Sequence, residues 1–219
     1  MTRLEPSGGG TVLLVAGLVG MAATTGIKTT ATGQDTAMTP LFAPVEIGAD
    51  LSALPDSERQ ALAHIVDAAR VMDGIFLEQV WAGNPSMLLS LLNSDAAAGQ
   101  ATLDFFLLNK GPWSRIDENR RFVAGAPVKP EGANFYPAGA TKAEVAAWFD
   151  QLEGAARADA TGFFTTIRRD IDGGFAIVPY NVEYQGPLAI AAGHLRAAAR
   201  ATAQPTLRRY LETRAAAFE

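Results

Sequence analysis

Apolar residues recur at intervals of three and four along much of the chain from residue 57 onwards. Residues at this spacing share one face of a helix, so the pattern predicts helices that bury that face. Ser57 and Gln60 predict a capping box at the start of the first helix, and Gly83 predicts its end. The apolar face of this helix consists of Leu62, Ile65, Val66, Ala69, Met72, Phe76 and Val80.

Several residues typical of helix starts predict further helices downstream. Asn84 followed by Pro85 predicts a second helix with Asn84 as its N-cap. A third helix is predicted over residues 95–108. Thr141 and Glu144 form a second capping-box pattern, which opens a helix predicted to reach Leu152.

The last third of the chain carries the one strand pattern. Residues 163–168 and 175–178 are rich in β-branched and aromatic residues, and Asp172-Gly-Gly between them favours a hairpin near residues 163–180. Pro187 and Pro205 predict the starts of two closing helices. The predicted fold class is therefore mainly α with a small β-hairpin, an α+β chain.

The amino-terminal 40 residues differ from the rest. Residues 11–27, TVLLVAGLVGMAATTGI, carry no charge and fall just short of a bilayer span. We predict that residues 1–27 are a signal peptide or an N-terminal anchor, a core segment being the third alternative. Residues 28–40 are predicted to be a flexible linker, followed by a mostly helical domain over 41–219. The expected localisation is periplasmic or extracellular, with membrane anchoring through residues 11–27 if they stay uncleaved.

The composition excludes some kinds of catalytic and metal site and disfavours one class of partner. The chain contains no cysteine, which excludes thiol nucleophiles and Cys-ligated zinc. A formal net charge of −5 disfavours a nucleic-acid partner. His64 and His194 have no second ligand four residues away on the same helix, so each is predicted to be a surface or internally bonded histidine. No catalytic or metal-ligating residue is predicted.

A long segment over residues 109–140 is rich in glycine and proline yet carries aromatics. Such a segment is typical of a functional loop or of one pinned against another surface. Trp113, Arg115, Asn134 and Tyr136 are candidates for a substrate cleft, because aromatic and polar groups together suit a peptide. Packing against the core is the alternative interpretation.

Five stretches in series carry a resemblance to a known family. They are FAPVEIGADLSALPDSERQALAHIVDAARVMDGIFLEQVW, LLNKGPWSRID, KPEGANFYPAGATKAEVAAWF, IRRDIDGGFAIVPYNVEY and LRRYLETRAAAF. Together they resemble the amino-terminal part of bacterial proteins in the dipeptidyl-peptidase III family of zinc metallopeptidases. The resemblance implies a helical lobe of a two-lobed architecture, in proteins more than twice this length. It also implies a zinc ion held by a His-Glu-x-x-Gly-His helix and a further Glu in the carboxy-terminal part.

No His-Glu pair occurs in the sequence, so no family zinc ligand can be assigned to it. The resemblance therefore implies an exported, catalytically incomplete amino-terminal fragment, with zinc expected only in a full-length member. A peptide substrate is expected only if the missing part completes the cleft. The last predicted helix has no terminating residue, which also favours a sequence continuing beyond Glu219. The alternative function is a stand-alone helical binding or interaction protein of the cell envelope.

Overall fold

The computed structural model describes residue 42, residues 45–94 and residues 97–219. The predicted signal peptide or anchor and the predicted linker lie outside these residues. Among the helices within them, none is both long and apolar enough to cross a membrane.

The described part of the chain is mainly helical, with two small antiparallel hairpins. This confirms the predicted fold class and adds a second hairpin, β1–β2, to the one predicted. Each strand of that hairpin has two residues, too few to show the alternation that predicts a strand. In chain order the elements are α1 (Asp56–Val80), α2 (Asn84–Leu92), α3 (Ala97–Asn109), β1 (Trp113–Ser114), β2 (Arg120–Arg121), α4 (Lys142–Phe149), α5 (Gly154–Ala160), β3 (Thr165–Arg169), β4 (Phe175–Pro179), α6 (Tyr180–Glu183), α7 (Gln185–Ala201) and α8 (Pro205–Ala216).

A core of small side chains joins α1, α7 and α8. Alanine dominates this core, and small side chains allow helix backbones to approach closely. Leu195 and Leu211 supply its larger side chains. The buried alanines are Ala61, Ala68, Ala191, Ala192, Ala198, Ala199 and Ala215.

The predicted hairpin at residues 163–180 is present as β3 and β4, with Ile167 opposite Ile177. Its turn is built on Asp170, whose Oδ1 accepts hydrogen bonds from the backbone N–H groups of Asp172 (3.0 Å) and Gly174 (2.7 Å). Gly173 has a φ of 83°, which a side chain rarely tolerates. The Asp172-Gly-Gly sequence thus predicted the position of the turn and its glycine at positive φ, whereas the carboxylate that bonds the turn belongs to Asp170.

The capping box predicted for the first helix is wrong. The helix begins at Asp56, with Pro55 as an N-cap that makes no side-chain capping bond. Ser57 therefore lies inside the first turn, and its Oγ contacts Glu58 (3.4 Å). The helix also ends earlier than Gly83, because Trp81 is extended.

Asn84 is not the N-cap of α2, since Gly83 holds that position. The Asn84 side chain points into the protein, where Nδ2 donates to the carbonyls of Leu77 (2.8 Å) and Lys110 (3.0 Å). The Asn84 amide, which the local sequence predicts to cap α2, thus forms hydrogen bonds to residues outside that helix.

The second capping box is confirmed. Thr141 Oγ1 accepts from the Glu144 backbone N–H (3.1 Å), which opens α4. The helix stops at Phe149 instead of reaching Leu152. The closing helices begin at Gln185, two residues before Pro187, and at Pro205 as predicted.

Candidate functional site

Trp113 lies in the protein interior. Its side chain is 2% exposed, and its ring meets that of Trp81 edge to face with centroids 5.4 Å apart. The indole Nε1 donates to the carbonyl of Pro127 (2.9 Å). The Trp113 side chain therefore packs the 109–140 segment against Trp81, the residue that follows α1.

Arg115 is exposed and closes the C-terminal end of α3. Its backbone N–H donates to Asn109 Oδ1 (2.9 Å), and its Nε donates to the Asn109 carbonyl (3.0 Å). A cation at this end of a helix is favoured by the macrodipole. The guanidinium carbon also lies 5.9 Å from the ring centroid of Phe76 on α1.

Asn134 binds the C-terminal end of α1. Its backbone N–H donates to the carbonyl of Gln79 (2.8 Å), and its Nδ2 donates to the carbonyl of Glu78 (3.1 Å). The last carbonyls of a helix have no partner within it, so a loop distant in sequence supplies the donors. The Asn134 carbonyl in turn accepts from Arg168 Nη2 (2.9 Å).

An ion pair also supports this loop. Arg168 on β3 donates from both Nε (2.8 Å) and Nη2 to Glu183 Oε1 on α6. The two side chains are 23% and 18% exposed, so water screens them only partly. One guanidinium therefore ties together β3, α6 and the loop of Asn134.

Phe135 and Tyr136 follow Asn134 along the hairpin. The carbonyl of Phe135 accepts from the Ile167 backbone N–H (2.8 Å), so the loop runs beside β3. Phe135 stacks on Tyr180, with centroids 6.4 Å apart and planes at 18°. Burial raises the pKa of the Tyr180 hydroxyl, and that of the neighbouring Tyr184 hydroxyl to about 12.

Tyr136 lines two cavities. The larger, of about 510 Å³, is lined by Glu131, Gly132, Tyr136, Ala140, Thr141, Lys142, Val145, Ala146 and Phe149. The smaller, of about 320 Å³, is lined by Phe135, Tyr136, Ala160, Thr161, Gly162, Phe163, Thr165, Ile167 and Tyr180. Both volumes fall in the range of small-ligand sites. The larger cavity carries one carboxylate and one ammonium group, which suit the charged ends or side chains of a peptide.

Three of the four candidate cleft residues thus gather around one end of α1. Arg115 faces Phe76, Trp113 packs on Trp81, and Asn134 bonds the last turn between them. Of the four, Tyr136 borders open space, whereas Trp113 and Asn134 have their side-chain donors engaged within the protein. Their assignment to a substrate cleft stays a prediction.

The two histidines, which are distant in the sequence, lie together in the fold. Ligand atoms of His64, Asp67 and His194 are all within 4.8 Å of one another. His64 and Asp67 lie three residues apart on α1, and His194 lies on α7. No local pattern could show this, because 130 residues separate the histidines.

Two solved structures resemble this chain. Dipeptidyl-peptidase III from Corallococcus sp. strain EGB matches with a TM-score of 0.80 and 57% identity, over 83% of this chain and 34% of that one. The protein from Caldithrix abyssi matches with a TM-score of 0.75 and 37% identity, over 81% of this chain and 33% of that one. The chain is similar to part of bacterial dipeptidyl-peptidase III. The resemblance stated from the sequence is confirmed, and the chain spans about a third of the proteins it matches.

A curated relative shares less with the chain. Nudix hydrolase 3 of Arabidopsis thaliana is 31% identical over 226 residues, which cover 81% of this chain and 29% of that protein. The activity in its name belongs to a protein more than three times as long as the matched part. No family model matches the chain.

Proposed function

We propose that this chain forms part of the scaffold of an exported, dipeptidyl-peptidase-III-like zinc hydrolase and contributes a wall of its peptide cleft. The observation that carries the proposal is the 57% identity to a bacterial dipeptidyl-peptidase III, together with a TM-score of 0.80, over 83% of the chain. Export is proposed from the uncharged run at residues 11–27. A stand-alone binding protein of the cell envelope is not favoured by these similarities.

The histidines of this chain do not fit the zinc site that the resemblance implies. His64 and His194 lie on different helices, and neither is followed by glutamate. Zinc-dependent hydrolysis needs a metal-activated water and a base placed beside it. The proposed role of this chain is therefore to position the peptide, and the catalytic zinc would be held by residues outside the 219 of this sequence.

The peptide-binding part of the proposal rests on the geometry around Tyr136. Tyr136 lines two cavities, one formed by its own loop and α4, the other by residues 160–163, β3 and the stacked aromatics. An extended peptide crossing this ring would meet an apolar face with polar groups on both sides. Aromatic contacts of this kind contribute about 0.5–1.5 kcal/mol beyond their area.

The test combines an activity assay with a binding assay on the purified 219-residue chain. We expect no release of arylamine from a dipeptidyl-arylamide, with or without added Zn²⁺. We expect tetra-alanine to bind weakly, as measured by calorimetry, and Tyr136→Ala to weaken binding roughly 3- to 10-fold. Tyr210→Ala is the matched control, since Tyr210 is an exposed tyrosine on α8.

Two results would overturn the proposal in different ways. Hydrolysis by this chain that a chelator abolishes would contradict its catalytic incompleteness. Absent peptide binding, or equal losses in the two tyrosine variants, would contradict the assignment of Tyr136 to the cleft.

A further inference from the structure

Three metal-binding side chains meet where α1 packs on α7. His64 and Asp67 lie one turn apart on α1, and His194 lies opposite on α7. The imidazole centroids are 6.3 Å apart, with the rings inclined at 35°. The three residues supply two imidazole nitrogens and a carboxylate oxygen, all within 4.8 Å.

Rigid elements hold this cluster in place. Residues three apart on a helix share one face, so His64 and Asp67 project the same way. Ala61 and Ala68 on α1, with Ala191 and Ala198 on α7, are buried around them in the alanine core. Ligands carried on packed helices keep their positions better than ligands carried on loops.

One nitrogen of the cluster lacks a partner. His64 Nδ1 is buried and makes no hydrogen bond among the described residues. Buried polar atoms are nearly always bonded, so an exception calls for an explanation. Asp67 accepts a bond from Arg70 on Oδ1 (3.0 Å), which leaves its second oxygen for another ligand.

We propose that His64, Asp67 and His194 form a binding site for a divalent transition-metal ion, with Zn²⁺ as the best match. Imidazole and carboxylate are established zinc ligands, and three protein ligands leave one position for water. This site is distinct from the zinc site that the family resemblance implies, because its residues belong to no His-Glu-x-x-Gly-His motif. Its role is to cross-link α1 and α7.

Small side-chain movements complete the site. Tetrahedral zinc at about 2.1 Å from each ligand places the ligand atoms roughly 3.4 Å apart. Ligand atoms that are 4.8 Å apart, the upper limit of separation in the cluster, must therefore move about 1.4 Å closer together. Rotations about the side-chain torsions of the histidines and the aspartate accommodate this movement.

The first experiment titrates ZnCl₂ into the full, untagged, metal-stripped chain. We expect one ion bound per chain by calorimetry, and a melting temperature raised by about 5–10 °C at an ion concentration of about 100 times Kd. Because the chain has two histidines in all, proton–nitrogen NMR resolves two imidazole signals, and both should shift with the same saturation curve. Failure of either signal to move, or a lack of stoichiometric binding, would refute the proposal.

A matched pair of variants tests whether the Asp67 carboxylate is a metal ligand. Asp67→Asn should weaken Zn²⁺ binding at least about tenfold, as loss of a metal-site group does. Asp73→Asn is the control, since Asp73 lies on the same helix and also loses an ion pair, to Lys110. Equal affinities in the two variants would exclude Asp67 as a ligand.

His194→Gln should likewise weaken binding and leave the His64 signal unshifted, and the NMR titration of the unaltered chain decides the matter if that variant does not fold.

Discussion

Asparagine side chains complete the C-terminal end of α1. Asn84 Nδ2 donates to the carbonyl of Leu77 and Asn134 Nδ2 to that of Glu78, while the Asn134 backbone N–H donates to the carbonyl of Gln79. These carbonyls have no donors within the helix, and burying them unpaired would be costly. The two side-chain amides lie 7 and 56 positions after the carbonyls they bond, and they fix the start of α2 and the loop of Asn134 against one helix end.

Replacing Asn84 with alanine should destabilise the protein strongly. The side chain is fully buried, and its loss leaves the carbonyls of Leu77 and Lys110 without that donor. We expect the free energy of unfolding to fall by about 2–3 kcal/mol, measured by urea denaturation. Asn93→Ala, at an exposed position just after α2, should change it by less than about 0.5 kcal/mol. Similar losses in both variants would contradict the proposed contribution of the Asn84 hydrogen bonds to Leu77 and Lys110.

The helices of the core are joined at their ends as well as by packing. Glu58 in the first turn of α1 accepts hydrogen bonds from Thr202 Oγ1 (2.7 Å) and from the Ala203 backbone N–H (2.8 Å). These residues connect α7 to α8. The bonds, that from Thr202 most of all, lower the pKa of the Glu58 carboxyl from its usual 4.5. A negative charge also suits the N-terminal end of α1.

The contribution of Glu58 to stability should depend on pH. A carboxyl whose pKa is lowered on folding stabilises the protein above its unfolded pKa of about 4.5, and this stabilisation is lost as the pH falls through the lowered value. Glu58→Gln should therefore lower the urea midpoint at pH 7, and the difference from the unaltered chain should shrink at pH 3. Glu46→Gln, at an exposed position before α1, should show no such trend. A constant difference at both pH values would rule out the charge as the cause.

Two adjacent aromatic side chains are exposed beside the hairpin. Phe163 is 88% exposed and Phe164 is 77% exposed, immediately before β3. Phe163 also lines the smaller cavity next to Tyr136. Adjacent exposed aromatics are uncommon on a monomeric surface and mark a place where another surface binds.

The purified chain should self-associate through these aromatics. We expect sedimentation coefficients that rise with concentration, and we expect the double variant Phe163→Ser/Phe164→Ser to weaken association roughly 30-fold or more. Ile171→Ser is the control, because Ile171 is fully exposed but lies alone on the β3–β4 turn. A monomer at every concentration, or an equal effect of Ile171→Ser, would contradict this prediction.

Local chemistry predicted most helices and one hairpin, because their signals lie within a few neighbouring residues. Thr141 caps α4 as expected, and Gly173 supplies the positive φ of the hairpin turn. Prediction failed at Ser57, because the helix begins one residue earlier, and at Asn84, because carbonyls distant in sequence accept its side-chain hydrogen bonds. The two-residue strands β1 and β2 were missed for a related reason, since their pairing is tertiary and too short to leave a pattern.

The sequence by itself determined the helical class, the absence of the family's zinc motif and the resemblance to dipeptidyl-peptidase III. These properties depend on periodicity and on residue identity, which are local. Only the tertiary structure decided that Trp113 is buried, that Asn134 caps a helix 55 residues upstream, and that His64 and His194 lie beside Asp67. Each of these depends on which elements pack together, and that is set by burial summed over the whole core.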